Sequence, residues 1–144
     1  MHVRIRRLDR DLPLPVAQHP DDAGYDLYAS VDAHLEPAGG RALVPTGIAV
    51  AIPSGCAGFV LPRSGLALND GVTCLNTPGL IDPLYRGELK VLLVNTDPSR
   101  AYDVERGDRI AQLVLLNVEM IEWVEVDDLG ETERNTFGFG STGN

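Results

Sequence analysis

The sequence predicts an all-β fold built from many short strands, in the manner of a sandwich, jelly roll or barrel. Three observations carry this. Apolar and β-branched residues recur with period two rather than 3.6, as in His2-Val-Arg-Ile-Arg and, less strictly, from Leu89 through Asn95. Turn residues punctuate the runs at Pro37/Gly39/Gly40, Pro45/Gly47, Pro53/Gly55, Pro78/Gly79, Asp97/Pro98 and Gly107. The 10 prolines count against long helices.

In chain order, the first predicted strand is His2–Arg6, and a short one follows Asp22-Ala-Gly-Tyr-Asp26. Apolar runs then predict strands at Ala42–Val44, Gly47–Ile52, Ala57–Leu61, Val72–Leu75, Leu89–Asn95 and Ile110–Val118. Ile121–Val126 alternates in part and is a further candidate. One short helix is expected at Gly65–Asn69, with Ser64 as its N-cap, after a strand ending at Pro62. Asn76-Thr77-Pro78-Gly79 reads as a tight turn, with Pro at the second position and Gly supplying positive φ at the third. The hairpin it implies would bring Asn76 and Asp82 together and place Tyr85 beside them. An amide, a carboxylate and an aromatic ring would then surround one flat, polar ligand.

The length of 144 residues fits one domain, taken here as residues 1–130. Residues 131–144 are polar and then glycine-rich, with too little apolar content to pack alone, and are expected to form a flexible arm. A net charge of −9 argues against nucleic-acid binding. It leaves room for a nucleotide, since a few arginines in one cleft create a local positive field. No apolar run approaches the roughly 20 residues that span a bilayer, and the N-terminal residues lack a signal-peptide core. A cytoplasmic protein without a membrane partner is expected. Cys56 and Cys74 are read as buried free thiols. His2, His19 and His34 lack metal-ligand spacing.

Several short stretches carry polar groups suited to chemistry, each with a plain structural alternative. Asp22-Ala-Gly-Tyr-Asp26 is either a turn entering a strand or a carboxylate supporting hydrated Mg²⁺ on a phosphate ligand. Pro62-Arg63-Ser64-Gly65 is either a capped helix start or an anion site. Asp82 lies among Leu80, Ile81 and Leu84 in sequence, as a turn cap or as a desolvated general base toward water. Tyr85 is core or a pocket floor. Gln112 sits in an apolar strand, so its amide needs an internal partner. The tail from Arg134 to Gly143 is glycine-rich but lacks the Lys-Ser/Thr ending of a P-loop. It is either a disordered end or a phosphate wrap, with Phe139 available for stacking on a base.

Together and in order, these stretches resemble the five motifs of the trimeric dUTPases. Asp22-Ala-Gly-Tyr-Asp-Leu is similar to the first and Pro62-Arg-Ser-Gly-Leu-Ala to the second. Asn76 through Glu88 is similar to the third, Gly107-Asp-Arg-Ile-Ala-Gln to the fourth, and Arg134 with Phe139-Gly-Ser-Thr-Gly to the fifth. The resemblance implies a β-clip or distorted jelly-roll-like barrel in a homotrimer. Active sites would lie at subunit interfaces, each closed by an arm from a neighbouring subunit. It implies Mg²⁺-dependent hydrolysis of dUTP to dUMP and pyrophosphate.

By the same resemblance, uracil and deoxyribose are held by Asn76, Leu80, Ile81, Asp82, Tyr85 and Lys90. Asp82 positions the attacking water. Arg63, Ser64, Gly65, Gln112, Arg134, Phe139, Gly140 and Ser141 hold the phosphate end and close the site, with Arg134 on the terminal phosphate and Phe139 over the base. Asp26 supports Mg²⁺ through water. The family's last motif has glycines where this chain has Asn135 and Phe137. Two alternatives share the fold: a dCTP deaminase, for which no further acid–base group is found near the hairpin, and a non-catalytic nucleotide-binding regulator.

Overall fold

The computed structural model describes residues 1–132; Arg134, Phe139, Gly140 and Ser141 lie outside the described residues. In chain order the elements are β1 (Arg4–Arg7), β2 (Tyr25–Tyr28), β3 (Ala33–Leu35), β4 (Arg41–Pro45), β5 (Ile48–Ala51) and β6 (Cys56–Leu61). There follow α1 (Ser64–Asp70), β7 (Val72–Cys74), β8 (Gly79–Ile81), β9 (Lys90–Asn95), β10 (Tyr102–Val104) and β11 (Arg109–Asn117).

The strands form antiparallel sheets ordered β2-β11-β6-β8, β4-β9-β7, β1-β5 and β3-β10. The all-β class and the single short helix are as expected. Among the described residues no sheet closes on itself, so the expected barrel is an open arrangement of sheets. One apolar core joins them, and Leu27, Leu35, Val44, Val72, Leu89, Val91, Leu93, Val104 and Ile110 are sealed from solvent. Asn95 is buried with them. Its amide donates to the carbonyls of Leu35 and Arg100 at 3.2 and 2.8 Å, and its side-chain oxygen accepts the Asp97 N–H at 3.0 Å. A buried amide satisfied in this way ties β9 to two other chain segments.

Several expectations need correction. Ser64 is the first helical residue rather than the cap; Arg63 occupies the N-cap position and makes no side-chain capping bond. Gly79 has no positive φ, Thr77–Pro78 is cis, and the turn closes earlier, through the Thr77 N–H to the Cys74 carbonyl at 3.3 Å. The flanking strands do not pair with each other. β7 joins β9 and β8 joins β6, so the predicted hairpin is a crossing between two sheets. β1 alternates in sequence, yet all four of its residues are exposed. Ile121–Val126 is exposed and pairs with no strand among the described residues.

Cys56 and Cys74 are buried free thiols, and burial pushes the Cys74 thiol up to about 11. Among the described residues, no helix is long and apolar enough to cross a membrane.

Candidate active site

The central sheet sets the site. Gln112 on β11 pairs with Asp26 on β2 at one side and with Leu61 on β6 at the other. Directly opposed residues of neighbouring strands project to the same face. Asp26 and Gln112 therefore line one wall of a cleft of about 460 Å³, with Arg63, Ser64 and Gly65 at the start of α1 and Asp22, Ala23 and Gly24 ahead of β2.

Asp26 is only 7% exposed. A buried carboxylate is costly unless paired. Here Arg109 Nη1 donates to Oδ2 at 3.2 Å, and Arg63 Nε lies 3.5 Å from Oδ1. Arg63 also donates through Nη1 to the Arg109 carbonyl at 3.1 Å. Gln112 finds the internal partner its setting demanded: Nε2 donates to the Pro62 carbonyl at 3.0 Å, linking β11 to the approach of the helix.

Sequence reasoning missed Arg109. Strand neighbours alternate in direction, so residues 109 and 112 should face opposite ways. The register against β2 shifts between Arg109 and Ala111, where Arg109 opposes Tyr28 and Ala111 opposes Leu27. That bulge leaves Ile110 as the extra residue and turns Arg109 to the side of Gln112 and Asp26. No turn residue or break in the apolar pattern marks it in the sequence.

The turn after β8 is a separate cluster. Tyr85 N–H closes it onto the Asp82 carbonyl at 3.1 Å, and the Tyr85 hydroxyl donates to the Glu88 carbonyl at 2.9 Å. Glu88 Oε1 accepts the Gly47 N–H at 2.9 Å, anchoring the segment to the start of β5. Asn76 lies against Gly79, where an added Cβ would come within 3.3 Å of its Nδ2. The expected apolar enclosure of Asp82 is not present in the single chain. Asp82, Leu80, Leu84 and Tyr85 are all exposed. Lys90 is exposed too, at the first position of β9 opposite Pro45.

Residues 10–143 match the dUTPase family model. The chain belongs to the dUTPase family. Its dUTPase relatives include the deoxyuridine 5'-triphosphate nucleotidohydrolase of Thermobifida fusca, 56% identical over 143 residues that cover 99% of this chain and 79% of the relative. The enzyme of that name from Corynebacterium diphtheriae is 53% identical over 141 residues, covering 98% and 92% of the two chains. The structure of the Staphylococcus bacteriophage 80alpha dUTPase with dUPNHPP superposes with a TM-score of 0.89 at 28% identity, covering 99% of each chain. A mutant dUTPase of S. aureus phage phi11, whose structure reveals how a structural Mg(II) ion is coordinated, gives 0.80 at 25% identity over 90% of this chain and 99% of that one.

Of the five dUTPase-like motifs, the first, second and fourth meet in one cleft. No residue of Asn76–Lys90 lines that cleft, and the fifth motif lies outside the described residues.

Proposed function

We propose that this chain hydrolyses dUTP to dUMP and pyrophosphate by attack of water on the α-phosphorus. The reaction removes a source of uracil in DNA and supplies dUMP for thymidylate synthesis. The observation that carries the proposal is the cleft around Asp26, Arg63, Ser64 and Gln112. It gathers a guanidinium, a hydroxyl and an amide on one wall of a chain whose net charge is −9. Such donors suit the phosphate oxygens of a nucleotide that a negative protein would otherwise repel.

In this reading Arg63, Ser64, Gly65 and Gln112 hold the phosphates. Asn76 and the backbone of Leu80 and Ile81 read the uracil edge, Tyr85 packs under the deoxyribose and Lys90 approaches the substrate. Asp82 contacts the 3′-hydroxyl, orients the water and accepts its proton as the bond from the α-phosphorus to the bridging oxygen breaks. Substrate and neighbouring subunits supply the enclosure that Asp82 lacks in the single chain. Arg134, Phe139, Gly140 and Ser141 complete the phosphate end from the arm.

Among the described residues, no cluster of three His, Cys, Asp or Glu could hold a metal. The cleft offers two carboxylates, Asp22, which accepts the His19 N–H, and Asp26, already engaged by two arginines; this is a poor protein cage. It fits Mg²⁺, which keeps several waters and takes further oxygens from substrate phosphates. Bound there through water to Asp26, the ion would neutralise triphosphate charge.

We infer a homotrimer in the cytoplasm. Two features support the assembly: the third motif stands outside the cleft of its own chain, and Ile121–Val126 has strand-like alternation but no partner strand among the described residues.

The test is pyrophosphate release from dUTP, dCTP, dTTP and UTP with Mg²⁺. Strong preference for dUTP is expected. Asp82→Asn should lower turnover by at least about 100-fold while nucleotide binding changes little, as for loss of a general base. Ammonia release from dCTP, or tight binding of dUTP without turnover, would overturn the proposal.

A further inference from the structure

We propose that Arg109 is a positioning residue whose side chain occupies the Asp26 carboxylate and thereby leaves the Arg63 guanidinium available to substrate phosphate. This rests on the dUTP reading of the cleft and adds a residue to it. Asp26, Arg63 and Gln112 line the cleft, and Arg109 does not. Arg109 acts on the cleft through Asp26, from the same face of the sheet but outside the lining.

The geometry separates the two arginines. Arg109 holds the closer contact to Asp26, a 3.2 Å hydrogen bond to Oδ2, while Arg63 stands 3.5 Å from Oδ1. Two guanidinia share one carboxylate, so Asp26 is not neutralised by Arg63 alone. The bulge at Ile110 makes this possible: in regular register Arg109 would project to the opposite face. Without its side chain, Asp26 would have Arg63 as its remaining guanidinium partner. A closed Arg63–Asp26 pair would draw the cation away from the ligand and cancel its charge. The Arg109 carbonyl, which accepts from Arg63 Nη1, is backbone and survives any substitution. A change of side chain therefore reads the ion pair.

The experiment measures KM and kcat for dUTP, the thermal midpoint, and the affinity for inorganic pyrophosphate by calorimetry. It compares wild type, Arg109→Gln, Arg109→Lys, Asp26→Asn and the double variant Asp26→Asn/Arg109→Gln. Arg109→Gln should raise KM and weaken pyrophosphate binding about tenfold, with kcat within about twofold, the scale of one lost charge-assisted contact. Arg109→Lys, which keeps the charge, should recover most of that loss. In the Asp26→Asn background the carboxylate is gone, and Arg109→Gln should then cost less than about twofold, since paired residues are not additive.

Equal cost in both backgrounds overturns the proposal. So does a Lys variant as impaired as Gln with a lowered thermal midpoint, which would mark a structural role. Wild-type protein that turns over no dUTP would sink the dUTP reading, while the pyrophosphate affinities would still decide the part played by Arg109.

Discussion

The side chain of Gln112 fills the space that a side chain on Gly24 would need. A Cβ on Gly24 would lie 2.1 Å from Gln112 Oε1 and 3.0 Å from its Cδ. Gly24 has no positive φ, so the requirement is room and not backbone freedom. The loop before β2 and the middle of β11 are thus fitted to each other.

Gly24→Ala should therefore act on the site more than on the fold. The methyl meets the end of a flexible side chain, which can swing away by giving up its 3.0 Å bond to the Pro62 carbonyl. A stability loss of about 1 kcal/mol is expected for one hydrogen bond. The displaced amide no longer faces the phosphates, so KM for dUTP should rise several-fold with little change in kcat. Steady-state kinetics beside denaturant unfolding checks both halves. A KM equal to wild type would remove Gln112 from the phosphate site.

Gly87 and Tyr85 have the same relationship with a stiffer neighbour. A Cβ on Gly87 would come within 2.4 Å of the Tyr85 hydroxyl oxygen and 2.6 Å of the ring carbon that bears it. A rigid ring cannot yield locally, so Gly87→Ala should turn Tyr85 and break its bond to the Glu88 carbonyl. If Tyr85 excludes a 2′-hydroxyl, the kcat/KM ratio of dUTP to UTP should fall about tenfold or more, about 1.4 kcal/mol of discrimination. Tyr85→Phe keeps the ring and should keep most of that ratio. An unchanged ratio in Gly87→Ala would dismiss Tyr85 as the sugar gate.

Much of this was legible in sequence because apolar alternation and turn residues report directly on strands. The apolar runs predicted as strands coincide with β4, β5, β6, β7, β9 and β11. The misses share one cause: they depend on what a segment meets in space. β3 and β10 are three-residue strands, stabilised by pairing with each other across a long separation. Gly79 packs closely against Asn76 without a positive φ, and no local pattern distinguishes the two. Asp82 sits among apolar residues in sequence, yet Leu80 and Leu84 project to solvent, so adjacency did not mean burial. Arg109 depended on a bulge, a property of register between two strands.

The β3–β10 pair carries a pH-dependent contact. His34 Nδ1 is 2.5 Å from Asp103 Oδ1, and Nε2 is 3.5 Å from Glu36 Oε1. Asp103 first, and Glu36 with it, hold the imidazole above its ordinary value. A group raised in the folded state stabilises fully below its unfolded value and loses that contribution as pH rises through the folded one. His34→Gln should thus lower the thermal midpoint at pH about 5.5 and match wild type at pH about 9. The ring is half exposed, so salt should shrink the difference. A midpoint difference that is the same at both pH values would show that the pair carries no proton-linked stability.

The segment from Val118 to Leu129 tests the assembly. Its apolar side chains face solvent, with Trp123 87% exposed, interleaved with Glu119, Glu122, Glu125, Asp127 and Asp128. Contiguous exposure on this scale is unusual for a soluble monomer and is what the proposed assembly would cover. Among the described residues β1 pairs only with β5, which leaves its other edge open. Beside it runs an apolar groove of about 460 Å³ lined by Val3, Ile5, Leu14, Tyr25, Leu113 and Leu115. An extended segment from a second copy would satisfy the open edge with main-chain bonds and the groove with Trp123 or Ile121. Its acids would meet Arg4 and Arg6 along β1. Trp123→Glu should then shift the sedimenting species from trimer toward monomer and lower activity in proportion, since the third motif would no longer reach a neighbour's cleft. High salt should weaken the wild-type trimer through the Arg4 and Arg6 contacts. If Trp123→Glu leaves both mass and activity unchanged, the segment is not the link between subunits.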